Sequence, residues 1–299
     1  MFLIVLIMLL VCIGIPLAYT WRILRLDLPS KGAWLLLVAD AAVFVALVLL
    51  VGRWDMAGYY TRFVLLAFFA AAVLWSLRKH VWRPWIVSGQ PTLRKHWPTL
   101  VSLVFFGGAL GYVTYGMLPN PNAHELTFPL RDGRFMTGQA GNISLLNHHA
   151  GHREQGFAAD IVAINPSGYR ADGLAPEELE SFVIYGAPVV SPCTGIVVAT
   201  RDNLPDLIPP ETDPDNARGN HVIIDCGELN VELAHLQFGS VSVTAGSPIA
   251  AEDLIGKVGN SGNTTEPHLH MHVVDPETRA GIPMSFMGRQ PVRNRLYVN

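Results

Sequence analysis

The residues best suited to chemistry lie in the last half of the sequence. His268 and His270 flank Leu269, and His235 follows Leu233-Ala234. Asp160 interrupts the apolar run 157–164, and His148, His149 and His152 form a cluster just before it. On an extended strand, residues i and i+2 point to one face. The spacing therefore places both imidazoles of His268-Leu269-His270 on one side and sends Leu269 into the opposite layer. A hydrolytic zinc takes three protein ligands, N and O donors among them, at ~2.0–2.2 Å and leaves a position for water. Two histidines and one aspartate meet that need. The remaining histidines could move a proton and stabilise an oxyanion. His272 shares the face of His268 and His270 by alternation and is expected to support the structure, or to support a metal ligand from behind, rather than bind metal itself. His221 and His124 read as ordinary polar residues.

These residues need strands to hold them. The segments 157–164, 187–190, 195–200, 221–225, 231–236, 254–258 and 268–273 are short, apolar and separated by Gly, Pro, Asn and Asp. That pattern predicts an all-β, mostly antiparallel domain. Residues 176–182 are the one helix candidate in it. Residues 202–218, rich in Pro and Asp, read as a surface loop forming a groove wall. Asn260-Ser261-Gly262-Asn263 and Pro267 form a tight turn that presents the histidine strand and can line the groove.

The first part of the chain is of another kind. Hydrophobic residues make up 50% of the 299-residue sequence and charged residues only 15%, and the long apolar runs all lie before Leu118. Segments 2–21, 33–51, 63–77 and 100–117 are apolar enough to cross a bilayer. The first lacks a basic leading region and a small-residue cleavage site, so it reads as a retained helix. The expected division is a helical transmembrane region, 1–118, and an extracytoplasmic domain, 119–299, joined by Pro119-Asn120-Pro121-Asn122. Arg22, Arg25 and Lys31 in the first connection, and Arg78, Lys79, Arg83, Arg94 and Lys95 in the third, outnumber Arg53 and Arg62 in the second. Basic connections favour the cytoplasm, which puts both termini outside. Asp40, inside the second span, is a costly group at that depth; it either faces other helices or has a function. Cys193 and Cys226, on neighbouring strand regions in an oxidising compartment, are expected to form a disulfide. A net charge of −3 gives no reason to expect nucleic-acid binding.

The runs Leu233-Ala-His-Leu-Gln-Phe-Gly-Ser-Val-Ser-Val243 and Ile255-Gly-Lys-Val-Gly-Asn-Ser-Gly-Asn-Thr-Thr-Glu-Pro-His-Leu-His-Met-His272 closely resemble the M23 metallopeptidases, the lysostaphin/LytM-like endopeptidases. Ser191-Pro-Cys-Thr-Gly-Ile-Val-Val198 and Gly219-Asn-His-Val-Ile-Ile224 add to the resemblance, which covers about residues 125–290. It implies a LytM-like fold and zinc held by a histidine, Asp160 and His270, with His235 and His268 as catalytic partners. Leu233 stands where the family usually has tyrosine. Gly156 stands where the first histidine ligand is commonly found, four residues before the aspartate. Some relatives carry an insertion with His-x-Gly and then Tyr/Phe-Ala-x-Asp, which His149-Ala150-Gly151 and Phe157-Ala158-Ala159-Asp160 match. The resemblance thus points to His149, with His148 and His152 as alternatives. Because adjacent residues of an extended chain point apart, His148 and His149 are not expected to ligate together. The implied function is a membrane-anchored zinc endopeptidase cutting peptide bonds of peptidoglycan. The alternatives are a non-catalytic binding or activator module of the same fold, or a peptidase of another protein substrate.

Overall fold

The computed structural model describes residues 2–87 and 92–299. It divides into two compact units, Leu3–Tyr115 and a second that comprises Gly116–Asn299.

The first unit is helical. Helices α1 (Phe2–Leu9) and α2 (Ile15–Arg25) run together through a π turn at Leu10–Gly14. Pro16, with no N–H to donate one turn back, follows that turn and accounts for the irregular ladder. Helices α3 (Lys31–Val51), α4 (Trp54–Ala57), α5 (Thr61–His80) and α6 (Thr92–Gly116) complete it. Among the described residues there are four candidate spans, Phe2–Arg25, Lys31–Val51, Thr61–His80 and His96–Gly116. Each starts or ends within a few residues of its expected position, and the third is longer than expected. Ser30 caps α3 by accepting the Ala33 N–H. Asp40 is buried among the helices, and its Oδ1 has no hydrogen-bond partner among the described residues. Inside the unit, Ile23, Ala41, Val45, Phe69 and Ala72 form one cluster, and Cys12, Val48, Trp54, Ala57 and Leu65 another.

The second unit is a β domain. Its strands are β1 (His124–Leu126), β2 (Arg134–Gln139), β3 (Ala159–Ala163), β4 (Pro188–Val190), β5 (Gly195–Arg201) and β6 (Asn220–Asp225). They continue as β7 (Asn230–Leu236), β8 (Pro248–Ile249), β9 (Leu254–Lys257), β10 (Leu269–Val274), β11 (Met284–Phe286) and β12 (Leu296–Val298). The main sheet has the order β12-β2-β3-β10-β7-β6-β5-β8, and its pairings are antiparallel. Strands β4 and β9 form a small antiparallel sheet, while β1 and β11 pair in parallel. Strands β1, β2, β8, β11 and β12 were not expected; most are two or three residues long, too short to show alternation. Residues 176–182 hold only a 3₁₀ turn at Leu179–Ser181 instead of the expected helix. Pro176 and the acidic Glu177, Glu178 and Glu180 supply no apolar face for a helix to bury.

One face of the sheet is core. Ile161, Val231, Leu233, Leu269, Met271 and Val273 are buried there with Phe286 and Tyr297. Leu269 is fully buried, as alternation requires. Burying such a side chain contributes roughly 1.5–3 kcal/mol. Cys193 and Cys226 are joined, closing a loop with a sequence separation of 33.

Candidate functional site

Three adjacent strands build the site. Asp160 on β3 lies directly opposite His270 on β10, and His270 lies opposite Ala234 on β7. Residues directly opposite one another in a sheet share a face, so Asp160 and His270 both look away from the core. By alternation His235 would look into it. A bulge prevents this: on β6, Asn220 pairs with Leu236 and His221 with Ala234, so His235 has no opposite residue. His235 has φ 61°, a left-handed conformation rare for a residue with a Cβ. Its N–H donates to the Arg218 carbonyl and its own carbonyl accepts from Gly259 N–H. The bulge re-aims the ring, bringing its centroid 5.8 Å from that of His270 and 4.9 Å from that of His268. It also returns Leu236 to the core.

His268 lies one residue before β10. Its Nδ1–H donates to the Glu266 carbonyl at 2.9 Å, and its Nε2 is 3.6 Å from Asp160 Oδ1. The turn carrying it is fixed by Arg170, whose guanidinium makes two hydrogen bonds to Glu266 at 2.6 and 2.7 Å. His235 Nδ1–H donates to the Ser261 carbonyl at 2.9 Å. In both rings the backbone thus takes the Nδ1 proton and leaves Nε2 as an acceptor. Neither carbonyl was foreseen from the sequence, since a carbonyl acceptor has no residue signature. The 259–263 turn does present the strand. Gly262 (φ +87°) packs so closely on Gly219 that an added Cβ would lie 2.7 Å from the Gly219 Cα. Asp206, from the 202–218 loop, accepts the Asn260 N–H at 2.7 Å.

The third part comes from a 3₁₀ turn, His148–Gly151. Asn147 is fully buried; it accepts the His149 N–H and donates to the carbonyls of Gly141 and Ala158. This places His149 Nε2 at 3.3 Å from both carboxylate oxygens of Asp160. An Asn before a helical turn is a capping signal, and it could have been noticed. The expectation that His148 and His149 diverge is corrected. The chain is helical at this point, not extended, and their ring centroids are 3.8 Å apart. His148 is nevertheless the more exposed of the two, and His152 lies farther out, with its ring centroid 6.4 Å from that of His149.

His270 Nδ1 meets Asp160 Oδ1 at 2.8 Å. Among the described residues two donor groups could each hold a metal ion, His148/His149/Asp160 and His235/His268/His270. They abut at the Asp160–His270 contact. The electrostatics suit a cation. Burial opposes ionisation of Asp160, yet the neighbouring His268 and hydrogen bonds from His149 and His270 hold its carboxyl well below the ordinary value. Burial, reinforced by His268 and His270, keeps His235 neutral far below its usual pKa. Burial also lowers His270, against the pull of Asp160, and pushes His148 down to about 4 and His272 to about 2. Asp160 and the neutral rings therefore offer lone pairs over a wide pH range.

These shifts have a consequence for the metal-free protein. Below the ordinary histidine value of 6.5 the unfolded chain binds protons that buried His235, His270 and His272 refuse. Stability should then fall as pH drops below about 6.5, by about 1.4 kcal/mol per unit for each ring that stays neutral. A second loss should begin below 3.8, where the unfolded aspartate takes a proton and Asp160 does not. Thermal melts in chelator from pH 8 to 3 measure this; a flat midpoint between pH 7 and 5 would contradict it.

Among solved structures, a zinc-containing peptidase from Vibrio cholerae is 16% identical, with a TM-score of 0.27, 60% of this chain covered and 39% of that one. Csd3 of Helicobacter pylori is 18% identical, with a TM-score of 0.31 and coverages of 59% and 35%. Lysostaphin from Staphylococcus simulans is 16% identical, with a TM-score of 0.26 and coverages of 52% and 44%. The chain thus spans less than half the length of each. No curated protein matches it. Residues 180–281, which include His235, His268 and His270 and begin after Asp160, match the family model described as Peptidase family M23. The chain therefore carries a peptidase family M23 domain and, among its described residues, four helices apolar enough to cross a membrane.

Proposed function

We propose that the protein is a membrane-anchored zinc metalloendopeptidase that hydrolyses peptide bonds in peptidoglycan stem peptides or cross-links. Residues 1–118 form the transmembrane region and residues 119–299 the catalytic domain. The distribution of basic residues among the connections supports an extracytoplasmic position for that domain. The observation that carries the reading is the meeting of His149, Asp160 and His270 with His235 and His268 on one face of an M23 domain's sheet.

Zinc suits the donor set. Two ligands at ~2.1 Å from a tetrahedral zinc lie roughly 3.4 Å apart, close to the 3.3 Å between His149 Nε2 and Asp160. Asp160 is buried, and its partners among the described residues are imidazoles rather than Lys or Arg. His149 Nε2, Asp160 and His270 Nδ1 would hold the ion. When bound, zinc supplies Lewis acidity at the scissile carbonyl and a water acidified to near neutrality. His235 and His268 do the rest. Their Nε2 atoms, unprotonated because Ser261 and Glu266 take the Nδ1 protons, accept the proton released on attack. Once protonated, a ring can hydrogen-bond the developing oxyanion and pass its proton to the leaving amine.

The test is digestion of purified peptidoglycan by the full chain in detergent, with mass spectrometry of the released fragments. New amine and carboxyl ends at one peptide position are expected. Intact stems and cross-links, with a control protein substrate cleaved, would move the activity to another substrate.

A further inference from the structure

His270 uses Nδ1 toward Asp160, which leaves Nε2 facing away from the proposed metal. That nitrogen lies 3.1 Å from His272 Nδ1. His272 is directly opposite Glu232 on β7, on the same face, with its Nε2 3.9 Å from Glu232 Oε2. Glu232 Oε1 in turn accepts from Arg218 Nε at 2.8 Å. His272 is 1% exposed and Glu232 4% exposed. The four side chains form a line running from His270 to the surface at Arg218. The carbonyl of Arg218 also holds the N–H of His235.

The line has a direction. Between His270 Nε2 and His272 Nδ1 there is one proton, on one nitrogen or the other. If His272 carried it, its Nε2 lone pair would face the Glu232 carboxylate. That carboxylate accepts from Arg218 Nε at 2.8 Å, and Arg218 opposes the upward push that burial gives its pKa, so an N–H at His272 Nε2 is favoured. His272 Nδ1 is then the acceptor and His270 Nε2 the donor. In the metal-free site Nδ1–H of His270 points at Asp160; once a metal takes the place of that proton, the ring's proton is on Nε2, and His272 fixes the tautomer whose Nδ1 lone pair is free.

We propose that His272 is a positioning residue: held with its Nε2 edge toward Glu232 and Arg218, it accepts the Nε2 proton of His270 and so aims Nδ1 of that ring, as a lone-pair donor, at the metal. The proposal rests on the zinc reading above.

Two isosteric variants separate positioning from simple core filling. In His272→Asn the side-chain oxygen falls where His272 Nδ1 lies and can still accept from His270. In His272→Gln the oxygen falls where His272 Nε2 lies and cannot. Both amides are buried polar groups of similar cost, so a purely structural role would affect them alike. Zinc affinity of the full chain in detergent is measured by competition with a chromogenic chelator, beside the thermal midpoint of each metal-free variant. Loss of a group that supports a metal ligand typically weakens binding about 10–100-fold. His272→Gln should weaken zinc by that factor, while His272→Asn stays within about threefold of the unsubstituted chain. The visible spectrum of bound Co²⁺ should change in His272→Gln only. Equal zinc affinities and equal Co²⁺ spectra in the two variants would overturn the proposal. Failure of the unsubstituted chain to bind zinc would instead overturn the zinc reading on which it rests.

Discussion

Replacing His270 with alanine is expected to abolish peptide hydrolysis and zinc binding together, and chelation of the unsubstituted protein is expected to do the same. The ring is buried on the central strand β10, with Asp160 at 2.8 Å on one side and His272 at 3.1 Å on the other. Without it, one of three proposed ligands is lost and the Asp160 carboxylate loses a partner. Metal assistance is worth several kcal/mol of barrier, and each 1.4 kcal/mol is about tenfold in rate. A fall of at least about 10³-fold follows. Fragment release from peptidoglycan and zinc content by atomic absorption are the two readings. Zinc should restore the chelated protein and not His270→Ala. Unchanged turnover in both cases sinks the mechanism. A chain that never contains zinc, even when replete, would favour a non-catalytic binding module of the same fold.

His235→Ala and His268→Ala should behave differently, keeping about one equivalent of zinc while kcat falls about 10²–10⁴-fold, the usual worth of general acid–base groups. The distinction is needed because His235, His268 and His270 by themselves form a group able to hold an ion. If either alanine variant loses zinc while His149→Ala retains it, the metal sits among those three rings. The proposed division of labour is then wrong. The tautomers favour the division. His235 and His268 give their Nδ1 protons to backbone carbonyls and present bare Nε2 atoms, the state a proton acceptor requires.

How much of this was written in the sequence differs residue by residue. Strand alternation is local, so His268-Leu269-His270 could be resolved into two site residues and one core residue without a structure. Leu269 is indeed buried in the core cluster. The four apolar helices were legible for a similar reason, since length and composition are properties of a segment. The short strands β8, β11 and β12 were not, because two or three residues carry no period.

Tertiary structure decided the remainder. Asp160 and His270 are 110 residues apart, and only the register of β3 against β10 sets them face to face. Alternation alone would have turned His235 into the core; the bulge opposite Asn220 and His221 brings it to the site, and a bulge depends on how two strands pair. The approach of His149 Nε2 to Asp160 likewise depends on a 3₁₀ turn held by buried Asn147. The line from His270 through His272 to Glu232 exists because His272 lies opposite Glu232 on β7. The sequence by itself determined which donor groups the chain owns and which of its segments are strands or apolar helices, because those follow from local residue order. Pairing and register between distant segments determined which donors meet, because a one-residue shift in either would turn a side chain to the other face of the sheet.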